Sequence, residues 1–198
     1  ETRARIVDAT VKLHEALGPA QTSIMAIAEA AGVQRLTVYR HFPDDAALFE
    51  ACTTRYLELH PPPQPTAWAD IELPAERSHT ALLAFCRYYR QTEQMWRVGY
   101  RDVDQVAAMQ MPMNRFEAYL DQVADDLVQA WHTPPAARKS LRLTLRHALR
   151  PTLAETKQAW VRATEGKVCH TTQRTLLESR LPDPEWHKPM AYALAWLG

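Results

Sequence analysis

The sequence predicts an all-α protein on three observations. Glycine is scarce, five residues in 198. No run of alternating β-branched residues marks a strand. The helix formers Ala, Leu, Arg and Gln are abundant, in segments whose apolar residues recur at steps of three and four. The organisation expected is an N-terminal three-helix helix-turn-helix domain with a fourth, connecting helix over 1–60, joined to a larger helical domain over 61–198. An apolar content of 46% is enough for a sizeable core in one or two domains.

The first helix shows an apolar stripe at Ile6, Ala9, Leu13 and Leu17. Thr22 is then placed to cap a second helix over 23–31, with Ile24, Ile27, Ala28 and Ala31 as its apolar face. Ala28 is small, so a crossing helix can approach closely, and Gly32 accepts the positive φ of a tight turn over 32–34. In the helix that follows, over 35–41, Val33 and Val38 face the core while Gln34, Arg35, Thr37, Tyr39 and His41 project outward. These polar and aromatic types suit base edges and phosphates, and the helix has the size and place of one that enters a major groove. With Thr22 and Arg40 added, the candidate DNA-binding set is Thr22, Gln34, Arg35, Thr37, Tyr39, Arg40 and His41.

A fourth helix opens with Asp44 and Asp45, carries Ala47, Leu48 and Phe49, and fades near Leu59. From His60 to Thr66 four of seven residues are proline. Consecutive prolines fix φ and remove donors, so this stretch runs extended and marks the domain joint. Helices follow over 75–91, with Leu82, Phe85, Cys86 and Tyr89 on one face, and over 93–107. Pro112 interrupts the pattern. Asn114 with Glu117 three residues later has the spacing of a capping box for a helix to 132, striped by Phe116, Tyr119, Leu120, Val123, Leu127 and Trp131.

Pro134 and Pro135 stop that helix and restart another near Ala136. It carries Arg138, Arg142, Arg146 and Arg150 at four-residue steps, and the preceding helix carries Glu117, Asp121 and Asp125 at the same step. A short antiparallel connection pairs Asp125 with Arg142, Asp121 with Arg146 and Glu117 with Arg150. Such a row serves either as surface ion pairs, worth ~0.2–1 kcal/mol each, or as an arginine row for an anionic ligand; the ion pairs are the simpler reading. Pro151 divides the helix and residues 153–161 resume it; a short helix is expected over 172–180. Asp183 and Pro184 then cap a last helix striped by Trp186, Met190, Ala193, Leu194 and Leu197.

The stretch from Thr22 to Phe42 resembles the TetR family of bacterial transcriptional regulators, through Thr22, Ile27-Ala28, Ala31-Gly32-Val33, Thr37, Tyr39 and His41-Phe42 in order. The resemblance covers about the first 60 residues and weakens beyond them, although Tyr88-Tyr89 and Arg101-Asp102 look like parts of the ligand-binding half of many members. It implies a repressor that binds a palindromic double-stranded DNA operator as a homodimer and is released by a small-molecule inducer. The dimer would be built from the last two long helices, where the stripes Leu141-Leu145-Leu149 and Trp186-Met190-Leu194 would otherwise be exposed. An apolar or aromatic inducer would sit between helices of the larger domain. Candidate ligand-binding residues are Phe85, Tyr89, Trp96, Tyr100, Met109, Met113, Phe116, Tyr119 and His147. Many of these large side chains also serve simply as core.

Two departures stand out. Asp44 and Asp45 occupy the start of the fourth helix, where the family usually has a lysine that holds a phosphate; carboxylates cap a helix well but repel phosphate. Leu36 stands where glycine, alanine or proline is more common, and either contacts a thymine methyl or alters the approach to the groove. Over 1–60 the acidic residues outnumber Arg3, Arg5, Lys12, Arg35, Arg40 and Arg55, so there is no broad basic footprint. A basic arm ahead of Glu1 would reduce the deficit. A family-fold protein with weak or no DNA binding, acting through a protein partner, is therefore the alternative.

Formal net charge is zero, which argues against nonspecific adhesion to nucleic acid or membrane. No apolar run approaches the ~20 residues of a membrane span and no leader precedes the first helix, so a cytoplasmic protein is expected. Cys52, Cys86 and Cys169 are widely spaced and odd in number, which suits reduced thiols. An enzyme is not expected, and no cofactor or metal is called for. Cys-x-x-Cys, His-Glu-x-x-His, Gly-x-Ser-x-Gly and phosphate-loop patterns are all missing, and Cys169-His170 with His187 has poor spacing for a metal or nucleophile site.

Overall fold

The computed structural model describes residues 1–151, and every regular element among them is helical. In chain order these are α1 Thr2–Leu17, α2 Ile24–Ala30, α3 Arg35–His41, α4 Asp45–Leu59, α5 Pro74–Gln91, α6 Glu93–Asp102, α7 Gln110–Ala130 and α8 Pro135–Ala148, with short 3₁₀ turns at Pro19–Gln21, Pro65–Ala67 and Ala107–Met109. The expectations for 153–161, 172–180, Cys169, His170, His187 and the Trp186-Met190-Leu194 stripe lie outside the described residues.

The chain packs as two compact units. Residues 1–62 group with 91–117, and 63–90 group with the described residues from 118 to 151. Residues 91–117 pack with the first unit although they follow the proline joint in sequence.

In the first unit α1 is the hub and packs against α2, α3, α4 and α6. Its apolar stripe meets the helix-turn-helix in a core of Ile6, Val7, Ala9, Ile27, Ala28, Ala31, Val38, Phe42 and Leu48. A second cluster, Val11, Cys52 and Tyr56 with Met95 against it, joins α1, α4 and α6. Ion pairs add to these contacts: Arg55 to Asp8 at 2.9 Å between α4 and α1, and Arg115 to both carboxylate oxygens of Glu50, at 2.9 and 2.5 Å.

Several helix limits differ from those the sequence suggests. α6 ends at Asp102 rather than 107, and beyond it the Gln105 N–H closes a tighter turn onto the Asp102 carbonyl, three residues back, at 2.9 Å. α7 starts at Gln110, so Asn114 and Glu117 lie inside it and form no capping box. Pro112 is its third residue, within the first turn, where an N–H would have no partner inside the helix to lose.

In the second unit α5 buries Ser78, Ala81, Phe85, Tyr88 and Tyr89. Cys86, expected on this face, is exposed, because the buried positions run along 78, 81, 85, 88 and 89 rather than through 82 and 86. From α7 come Leu120, Val123, Ala124, Leu127 and Val128, and from α8 Leu141 and Leu145. Polar tips of the aromatic residues find partners within this unit. Trp68 Nε1 donates to Asp126 Oδ2 at 3.3 Å, Trp131 Nε1 to Ser78 Oγ at 3.0 Å, the Tyr89 hydroxyl to the Leu149 carbonyl at 2.8 Å, and the Tyr119 hydroxyl to the Pro63 carbonyl.

The antiparallel ion pairs form where α7 faces α8: Arg142 Nε to Asp125 at 2.5 Å, Arg146 Nε to Asp121 at 3.1 Å, and Arg142 also to Asp121 at 3.2 Å. The Leu141-Leu145-Leu149 stripe, expected to be exposed, is instead 7, 5 and 0% exposed. With α8 held to α7 by these pairs and to α5 through Tyr89, the stripe is covered within the chain and needs no second copy to cover it.

Candidate nucleic-acid interface

The site is the exposed surface of the helix-turn-helix. Ser23, not Thr22, caps α2: its Oγ accepts from Ala26 N–H at 3.1 Å. Thr22 lies one residue too early and its hydroxyl donates to the Gly18 carbonyl at 2.8 Å, closing the turn that leads into α2. The turn between α2 and α3 is made as expected. Gly32 takes φ 64°, its N–H donates to the Glu29 carbonyl at 3.0 Å, and Val33 N–H donates to the Ala28 carbonyl at 2.9 Å.

α3 spans the seven residues expected and is anchored by Val38, 1% exposed. Gln34, Arg35, Tyr39, Arg40 and His41 are all exposed; Thr37 is half-buried, and Leu36 is exposed among them. Arg35 lies across the Tyr39 ring, its guanidinium carbon 5.4 Å from the ring centroid, and Nη2 donates to the Tyr39 hydroxyl at 3.1 Å. Beneath the helix Phe42 is buried, with the Arg3 guanidinium 4.9 Å from its ring centroid. At the start of α4, Asp44 Oδ1 accepts from Ala47 N–H at 2.7 Å, so this carboxylate is an N-cap, and both Asp44 and Asp45 are exposed.

What holds this surface from behind was not legible in the sequence. Asp102, at the end of α6, is buried, and its Oδ2 accepts from Ala20 N–H at 3.0 Å. Arg101 donates through Nε to Asp102 Oδ1 at 2.6 Å and through Nη2 to the Leu17 carbonyl at 2.6 Å. The two residues clamp the turn from Leu17 to Ala20, which delivers the chain to α2. The Arg101 guanidinium, helped by the Ala20 N–H, holds the Asp102 carboxyl below the usual carboxylate range against the opposing effect of burial.

Nearby, His14 is buried between α1 and α4, its Nδ1 3.4 Å from Cys52 Sγ and its ring 5.3 Å from that of Phe49. Burial pushes its pKa down to about 4, with Asp102 opposing, and pushes the Cys52 thiol up to about 12. His14 follows Val7 and Val11 at helical spacing, a signal that could have placed it in the core. The Arg101-Asp102 pair carries no comparable signal of what it grips.

The candidate ligand residues fall into two groups, one in each unit. In the first, Trp96 packs on Phe116 at 4.6 Å and on Tyr100 at 5.8 Å between ring centroids; Met109 is buried and Met113 half-buried. In the second, Phe85 lies 5.9 Å from Tyr89 and 6.3 Å from Tyr119, while His147 is exposed on the last turn of α8. Among the described residues no group of three or more His, Cys, Asp or Glu is arranged to hold a metal ion, and no helix is long and apolar enough to cross a membrane.

Residues 6–52 match the model of the family described as bacterial regulatory proteins, tetR family. Among curated proteins none matches the chain. The fold is similar to that of a TetR-like transcriptional regulator from Rhodococcus sp. RHA1, with 21% identity, 90% of this chain and 92% of that one covered, and a TM-score of 0.55. It is also similar to the multidrug binding protein EbrR complexed with imidazole, with 21% identity, 82% and 86% covered, and a TM-score of 0.51. Residues 6–52 are therefore an N-terminal helix-turn-helix domain of the kind found in bacterial regulatory proteins of the tetR family.

Proposed function

We propose that the protein is a repressor that binds a palindromic DNA operator as a homodimer and is released by an apolar or aromatic small molecule. It acts as a binding protein and not as an enzyme, and works in the cytoplasm. The observation that carries this reading is α3, with Arg35, Tyr39, Arg40 and His41 exposed on a helix anchored by Val38 behind a tight glycine turn. In this reading residues 1–60 contact DNA and 61–198 hold the inducer and the dimer contacts. A twofold dimer reads half-sites about one helical turn (~34 Å) apart or a multiple of it. The inducer proposal is supported by the aromatic groups around Phe85 and Trp96, and by the likeness of fold to a multidrug binding protein. An inducer acts only by favouring a state of the dimer in which the two α3 helices no longer match the half-sites.

Selection of bound sequences from a random duplex library at moderate salt tests the proposal: an inverted repeat is the expected outcome. Tyr39→Ala and His41→Ala should then weaken binding to all sequences about equally, while Arg35→Ala and Thr37→Ala should cost ~1–3 kcal/mol on the preferred sequence and broaden base preference. Binding isotherms on the selected duplex and on a scrambled one separate the two classes. If Tyr39→Ala binds both as tightly as the parent does, the proposed docking is wrong.

One observation favours the alternative, a family-fold protein that acts through a protein partner. The exposed carboxylates of Asp44 and Asp45 stand at the start of α4, where they repel phosphate. Asp44→Ser separates capping from charge, because serine can also accept from Ala47 N–H. The repressor reading expects unchanged stability within about 0.5 kcal/mol and tighter DNA binding. No enriched sequence from a folded dimer, together with unchanged DNA affinity of this variant, would move the assignment to the partner-binding role.

A further inference from the structure

Leu36 is 66% exposed at the second position of α3, more open than Tyr39 at 39%. It precedes Val38 by two positions, about 200° round an α-helix, so it points away from the core that Val38 enters. Arg40, four residues on, shares its face, and Arg35 and Tyr39 flank it, all of them exposed. An aliphatic side chain at the outward centre of a polar surface gains nothing from water. A scattered exposed leucine is ordinary elsewhere on a protein, but this one stands at the N-terminal end of the helix proposed to read DNA, where side chains reach base edges.

The base edges of the major groove offer donors, acceptors and one apolar group, the C5-methyl of thymine. Arg35, Thr37, Tyr39, Arg40 and His41 can serve the polar edges; only Leu36 and the Thr37 methyl match the apolar one, and Thr37 is half-buried. We infer that Leu36 reads a thymine C5-methyl in each half-site and sets base preference at that position. The inference rests on the operator reading above and adds to it the chemistry of one contact.

The experiment uses the full chain and the duplex recovered from the random library, with each thymine replaced in turn by deoxyuridine. This removes the methyl and leaves every donor and acceptor in place. Burial of one methyl corresponds to about a fourfold change in affinity. The parent protein is expected to lose about fourfold at one thymine per half-site, and Leu36→Ala to bind the thymine and uracil duplexes alike. Since Leu36 is largely exposed, this variant is expected to fold as the parent does. If no thymine is sensitive, or if Leu36→Ala keeps the same discrimination, the inference is overturned while the operator reading stands. A library that enriches no sequence overturns the operator reading and this contact with it.

Discussion

Replacing Gly18 with alanine is expected to lower the stability of the folded chain by about 2–4 kcal/mol, whereas the same change at Gly32 should cost only about 1–2 kcal/mol. Both glycines have positive φ, and backbone strain and the space for a Cβ both make Gly18 the costlier site. Gly18 sits at φ 93° and ψ 154°, a region that side chains other than glycine's scarcely visit, and a Cβ there would overlap Arg101 Nη2 and Asp102 Oδ2. The Arg101 head is 46% exposed and can swing into water, but the Asp102 side chain is short and 2% exposed, so it cannot withdraw without leaving the Ala20 N–H. At Gly32 a Cβ meets nothing within 4 Å, and only the left-handed φ of 64° is penalised. Urea unfolding of the two variants side by side checks the ranking; equal losses would mean that the clamp at the end of α6 contributes nothing.

Acidification should destabilise the protein well above the carboxylate range, through His14. Burial holds its native pKa at about 4, against an ordinary value of 6.5 that the unfolded chain regains. Between these two values the unfolded state binds more protons than the native one, so stability is intact above the upper value and is lost as pH falls towards the lower. At ~1.4 kcal/mol per pKa unit the full loss from this residue is on the order of 3 kcal/mol. The groups facing the ring are the Cys52 thiol from α4, which burial keeps protonated, and the Asp102 carboxylate from α6, which partly offsets the penalty. Asp102, with its lowered pKa, adds a loss of the same sign at still lower pH. His14→Gln should flatten the stability profile between pH 6.5 and 4, as read by urea unfolding at several pH values. A variant with the same slope as the parent would show that other groups carry the acid sensitivity.

The helix-turn-helix was legible because its signals are local. Gly32 supplies its φ, Val38 its anchor and Ser23 its cap within a few residues, and α3 spans the seven residues expected. The one local error, Thr22 for Ser23 as the cap, came from two adjacent hydroxyl residues that compete for one role. The outward-facing set followed from the same periodicity, with Thr37 alone partly covered. Reading failed where the deciding contact is distant in sequence. Asp102 is fixed by Ala20, 82 residues away, and Tyr89 by Leu149, 60 residues away, and neither pairing leaves a trace in residue spacing. The leucine stripe of α8 has the pattern of any amphipathic helix, and periodicity cannot say whether its cover comes from the same chain or from another. The ion pairs between α7 and α8 were foreseeable because a short connection makes the two helices neighbours, which turns four-residue steps into facing rows.

The contact between Arg35 and Tyr39 has a consequence in entropy. A free arginine side chain explores many rotamers and gives up as much as ~2 kcal/mol when it is immobilised. Here the guanidinium already lies across the Tyr39 ring and is hydrogen-bonded to its hydroxyl before any partner arrives. Part of that ordering is thus completed within the free protein, and α3 presents the two residues to any partner as one semi-rigid unit. Removing Tyr39 would also release Arg35 to wander, so the losses from the two single substitutions should overlap rather than add.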